Sequence, residues 1–174
     1  SPSRGLGDVY KRQYHGFVLH NGAAPEESDS ETQLGGLQLV SDTLFDAYDY
    51  VALGHIHKPQ WVRHDRIRYS GSLMKYSFSE CLQRKSVTLL KWNEKDNCTI
   101  TTIPLHPKQE MRILRGTLEQ LLEHATPSED FIRAELTDLE LIPNAIEKLR
   151  VVYPNTLELS YIERERLRQP AAAT

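Results

Sequence analysis

Tyr50-Val51-Ala52-Leu53-Gly54-His55-Ile56-His57 is the stretch on which the reading of the fold turns: a short apolar run, a glycine, then two histidines at alternate positions. A run this short and partly β-branched predicts a strand buried on both faces. Gly54 would let the backbone turn tightly as the strand leaves its sheet. In extended backbone, side chains at i and i+2 share a face, so His55 and His57 are expected to point one way while Ile56 points into the core. Their Cα atoms would lie roughly 6.5–7 Å apart. Each imidazole could then reach its own cation in a pair about 3.5–4 Å apart, the spacing of two-metal phosphoryl-transfer sites. An H-x-H pair at a strand end is also compatible with two partly exposed histidines that bind nothing.

A second short β-type run, Ile67-Arg68-Tyr69, leads into Ser70-Gly71-Ser72. Small residues around a glycine at a strand exit let the backbone approach a ligand closely. Gly54-His55-Ile56-His57 followed by Tyr69-Ser70-Gly71-Ser72 resembles the last metal motif of the calcineurin-like metallophosphoesterases. The resemblance widens through Asp49 to Gln60, Ile67 to Ser72, Lys75 to Glu80 and Lys85-Ser86-Val87. Across most of residues 14–92 it is similar to the SbcD family, the nuclease subunits of bacterial SbcCD complexes.

Composition sets outer bounds. The 174 residues suffice for one domain or one and a part. Hydrophobic content of 39% with 26% charged residues fits a globular chain, not a disordered one. A net charge of −3 gives no basic signature and speaks against holding DNA by charge alone. No apolar stretch is long enough to span a bilayer and no signal-peptide pattern opens the chain. Cys81 and Cys98 lack metal-type spacing and suit a reducing, cytoplasmic setting.

Outward from the central run, residues 1–13 lack a clear period and read as a non-native leader resembling translated adapter sequence. Tyr14 to His20 follows, with His15 before Gly16 at the end of an expected strand; His20 is taken as a loop residue. Residues 21–36 read as an exposed loop, with the acidic run Glu26 to Glu31 as a solvated face. Leu37, Val40, Leu44, Phe45 and Tyr48 are spaced as one face of a short helix. Trp61-Val62 and Ile67 to Tyr69 read as neighbouring strands with His64-Asp65 at their turn. Ser86 to Trp92 and Cys98 to Leu105 read as two more, around a turn at 93–97.

Residues 106–161 change character. Met111 to Leu114 is strand-like, Thr117 N-caps a helix, Phe131 to Leu136 alternates, Pro143 opens a second helix and Thr156 to Tyr161 alternates again. This order suggests a small α+β unit. Residues 162–174 form a charged tail that starts a helix or is disordered. The expected class is α/β, and the resemblance implies residues 14–105 as the C-terminal half of a metallophosphoesterase β-sandwich flanked by helices, with the α+β unit at 106–161 as a capping domain.

The resemblance also implies chemistry. His15 and His55 would serve one metal and His57 the other, with Gly54, Ser70, Gly71 and Ser72 as near-site backbone. The implied ions are a Mn2+ pair, with Mg2+ or another divalent ion possible; imidazole donors accept several first-row metals. Paired cations repel unless anionic ligands lie between them, yet the family's Asp-x-His, Gly-Asp and Gly-Asn-His-Asp motifs do not occur outside the suspected leader, which holds Gly7-Asp8. The leaving-group histidine belongs to the last of these, so no catalytic residue is assigned. The expectation is a C-terminal piece of a nuclease that hydrolyses DNA phosphodiesters in repair and recombination, partnered by DNA and an SbcC-like ATPase as a homodimer within a larger complex. Alone it is expected to bind metal weakly, to lack nuclease activity and to expose a sheet edge. Two alternatives stay open: a phosphoesterase acting on a small phosphate ester, and a non-catalytic binding module.

Overall fold

The computed structural model describes residues 11–31, 39–63, 66–93 and 98–168. It is a mixed α/β chain that divides into two compact units, Ser1–His106 and Pro107–Thr174.

The first unit is built on β1 (Lys11–His15), β4 (Tyr50–Gly54), β5 (Gln60–Arg63) and β6 (Ile67–Tyr69), in the sheet order β1-β4-β6-β5. Strands β1, β4 and β6 are parallel and β5 is antiparallel to β6. The apolar run at Tyr50 thus takes a central position, where Val51 and Leu53 are buried in a strand paired on both sides. Phe17, Val18, Phe45, Ile56, Ile67 and Tyr69 complete this core. A parallel pair, β2 (Val18–Leu19) with β3 (Val40–Ser41), and an antiparallel hairpin, β7 (Ser86–Trp92) with β8 (Cys98–Pro104), make up the rest.

Strand β1 begins at Lys11, and Lys11, Arg12 and Gln13 pair with Tyr50, Val51 and Ala52. One expectation needs correction here. The helix expected from Leu37 to Tyr48 is instead β3 and a 3-10 turn at Asp42–Phe45. Ser41 N-caps that turn, its side chain accepting the Thr43 N–H, so the helical backbone begins only at Asp42. Leu44, assigned to the inner face, is 69% exposed. Leu37 itself, the turn at His64-Asp65 and residues 94–97 lie outside the described residues.

The second unit runs β9 (Met111–Gly116), α1 (Leu118–Glu123), β10 (Phe131–Leu136), α2 (Ala145–Arg150), β11 (Thr156–Tyr161) and α3 (Ile162–Arg168). Thr117 and Gln120 close a reciprocal capping box at the start of α1. All three strands are parallel, in the order β11-β10-β9, each joined to the next through a helix. It is therefore a small α/β unit, a correction to the α+β plan, and α3 occupies the start of the expected tail. Ile132, Leu136 and Leu149 are fully buried, each contributing about 1.5–3 kcal/mol. Among the described residues no helix is long and apolar enough to cross a membrane.

Candidate metal-binding site

Strand β4 stops at Gly54, and its register places His15 of β1 directly opposite. That pairing explains the glycine. A Cβ there would lie 2.9 Å from His15 Nδ1, so a larger residue at 54 would have to displace the exposed His15 ring; the glycine answers to close approach, not to a turn of its own. The tight turn falls on the next residue: His55 has φ +99°, a conformation that non-glycine residues rarely adopt. His55 and His57 therefore do not continue an extended strand, and the shared-face argument fails at its first step. Ile56 does point into the core, at 2% exposure.

The turn brings His55 against His15, ring centroids 5.3 Å apart and nearly perpendicular, with Phe17 closing the other side at 4.6 Å. His55 Nε2 is buried there and has no hydrogen-bond partner among the described residues. A buried nitrogen left unpaired costs about 1–3 kcal/mol. A shallow depression of about 420 Å³, lined by His15, Tyr14, Gln13, Gly54, Leu53 and Ala52, opens beside His15.

His57 sits in a different environment. Its Nδ1 lies 2.9 Å from Ser30 Oγ and 3.1 Å from Glu80 Oε1. Its backbone N–H donates to the Glu31 carboxylate, which also accepts from Ser28 N at 2.8 Å. Tyr76 packs on its ring at 5.2 Å. Glu80 has no solvent exposure and pairs with Lys85, itself buried, at 2.6 Å. Burial alone would push the Glu80 carboxyl up. The hydrogen bonds from Lys85, Ser30 and His57, with the Lys85 charge, outweigh it and hold the group down at about 2. Lys85 Nζ also lies 3.0 Å from the His57 carbonyl and 2.8 Å from Ser72 Oγ.

The second strand exit serves this same loop. Ser70 N donates to Leu53 O, and Ser72 N donates to His57 O at 3.0 Å. Gly71 has φ +80°, and a Cβ on it would meet Pro59 and the His57 carbonyl inside 3 Å. The close approach foreseen for a ligand is an approach to the protein's own backbone.

The structure thus gathers His15 with His55 and ties His57 to Ser30, Glu31 and Glu80. Among the described residues, no three histidine, cysteine, aspartate or glutamate side chains form a metal cage. The acidic loop read as a solvated face is partly buried machinery: Ser28 is buried, and Ser30 and Glu31 hold the H-x-H turn. Those two contacts with His57 join residues 27 and 26 positions apart, and no periodicity or motif marks them. For Glu80 the one available signal was an acidic residue inside an aromatic- and serine-rich run that includes the buried Phe78.

A family model described as the type 5 capsule protein repressor C-terminal domain, SbcD_C, matches residues 107–174. The SbcD subunit of the nuclease SbcCD from Staphylococcus epidermidis (strain ATCC 12228) is 30% identical over 150 residues. That match covers 84% of this chain and 40% of the relative's length. Matched by the curated relative over most of its residues and by the family model across its second unit, the chain belongs to the SbcD family.

Proposed function

We propose that this chain carries the histidine-rich side of a two-metal DNA nuclease, with His15 and His55 as ligands of one divalent ion and His57 as a ligand of the other. The observation that carries the reading is the buried Nε2 of His55, without a partner among the described residues, on a residue held at φ +99° against His15. Strained backbone and an orphaned donor atom persist where a site requires them, and an ion bound there would supply the missing partner. The donor set fits a first-row divalent ion, and manganese is the ion we assign. When bound, such a pair lowers the pKa of a water and stabilises charge on the phosphoryl oxygens. The chain's own residues hold and orient: Gly54 lets His15 close on the β4 end, and Ser72, Lys85 and Glu31 fix the backbone of His57.

Three neutral imidazoles do not offset the mutual repulsion of two dications. We therefore assign this chain weak Mn2+ binding and no phosphodiester cleavage of its own. In the whole protein, acidic motifs absent from this sequence would complete the site, DNA would be the substrate and an SbcC-type ATPase the partner. Residues 107–168 we assign to a cap that positions DNA. Electron paramagnetic resonance titration of Mn2+ tests the ligand set: His15→Ala and His55→Ala should each weaken binding at one site, while His124→Ala should not. Cleavage of a DNA duplex by the purified chain with added Mn2+ would refute the claim that the histidines alone are insufficient. Equal binding by all three variants would refute the ligand assignment.

A further inference from the structure

We propose that Glu80 is a positioning residue for His57, setting the tautomer in which Nδ1 carries the proton and Nε2 keeps the lone pair. The argument is one of donors and acceptors. Glu80 Oε1 accepts from Ser30 Oγ at 2.6 Å and from Ser28 Oγ at 3.1 Å, and Oε2 accepts from Lys85 Nζ at 2.6 Å. An ionised carboxylate can only accept. The His57 Nδ1 at 3.1 Å from the same Oε1 must therefore be the donor. Ser30 agrees: its one hydroxyl proton goes to Glu80 over the shorter distance, so at 2.9 Å it too can only accept from Nδ1. A neutral imidazole protonated at Nδ1 presents an unprotonated Nε2, the form a metal ion requires.

The arrangement is fixed from behind. Glu80 is wholly buried, and Lys85, 3% exposed at its side chain, joins its carboxylate to the His57 carbonyl and Ser72 Oγ. Side chain and backbone of His57 are thereby held through one buried ion pair, reached from a segment 23 residues further along the chain. A carboxylate behind a ligating histidine fixes ring orientation and raises ligand basicity, and its loss generally weakens metal binding by about 10–100-fold. The metal part of this inference rests on the function proposed above; the tautomer part does not.

Long-range 1H–15N spectra of the histidine-labelled 174-residue chain, recorded without metal and above the histidine titration range, read the tautomer directly. His57 is expected to be protonated at Nδ1, and Ser30→Ala to leave it so. The paired substitution Glu80→Leu with Lys85→Met removes the ion pair without stranding a buried charge. It is expected to give a mixed or inverted tautomer, with the remaining histidines unchanged. His57 protonated at Nε2 in the unaltered chain overturns the proposal, whatever the variants do; so does an unchanged tautomer in the folded double variant. Manganese titration separates the two layers. A shifted tautomer with about 10–100-fold weaker Mn2+ binding supports both. A shifted tautomer with unaltered Mn2+ binding supports the positioning role of Glu80 and removes His57 from the ligand set.

Discussion

Replacing Gly71 by alanine is expected to destabilise the first unit by about 2–5 kcal/mol, and the structure separates that cost into two parts. Left-handed backbone costs an L residue about 1–2 kcal/mol, and Gly71 stands at φ +80°. The added Cβ would also lie 2.6 and 2.7 Å from Pro59 Cγ and Cδ and 2.8 Å from the His57 carbonyl. A proline ring and a main-chain carbonyl cannot rotate aside, so an overpacking cost of about 1–3 kcal/mol is added. Gly22 is the internal control. It has nearly the same φ, +79°, but nothing within 4 Å of the position its Cβ would take. Gly22→Ala should carry the backbone cost alone. Any effect of alanine on the unfolded chain enters both variants alike and cancels in the comparison. Urea unfolding followed by tryptophan fluorescence is the assay. Both tryptophans, Trp61 and Trp92, fall within the first unit, so the signal reports that unit alone. Equal destabilisation by the two substitutions would show that the contact with the His57 loop is not tight, and the account of Gly71 would fall with it.

Tyr69→Phe should cost about 1–3 kcal/mol in the same assay, because the hydroxyl accepts from Val18 N at 2.9 Å and donates to Gly16 O at 2.8 Å in a fully buried setting. Burial pushes the Tyr69 phenol up to about 12, against the Val18 hydrogen bond, which pulls it down. The folded value is raised above the unfolded one near 10. Its stabilisation is thus complete below about pH 10 and lost as pH rises through about 12; Tyr69→Phe should flatten that alkaline limb of the unfolding midpoint. In the second unit, burial raises the Asp130 carboxyl, but hydrogen bonds from Glu110 N and the Ser128 and Arg112 side chains outweigh it and lower it. A depressed folded value gives stability that is present above the ordinary carboxylate range and lost as pH falls below it. Circular dichroism melts of Asp130→Asn should accordingly show a weaker acid dependence than the unaltered chain, and an identical dependence would remove Asp130 from the account.

What could be read in advance and what could not divides along the range of the interactions. Strand β4 and the second unit's β-α-β-α-β order rest on local signals: an apolar run, a capping box at Thr117, alternation from Phe131 to Leu136. A residue decides these with neighbours three or four places away, which is the range sequence periodicity covers. The apolar spacing favours a helix from Leu37, whereas the Ser41 cap starts the helical backbone only at Asp42 and one 3-10 turn forms. At the site, strand period puts His55 and His57 on one face, and the positive φ of His55 breaks that relation. The glycine suggests a turn at 54, whereas the turn lies at His55, and Gly54 answers to His15 across the sheet, 39 residues away in sequence. A glycine required by close approach and one required by positive φ look alike in a sequence, since both simply lack a side chain; only the partner strand tells them apart. The same holds for Ser30, Glu31 and Glu80. As a composition, the acidic loop reads as solvent-facing, and it acquires a function only when its carboxylates and hydroxyls meet the ring and main chain of His57. Motif residues announce that chemistry is present; the groups that set their protonation and orientation come from elsewhere in the chain, and they become visible only once the chain is folded.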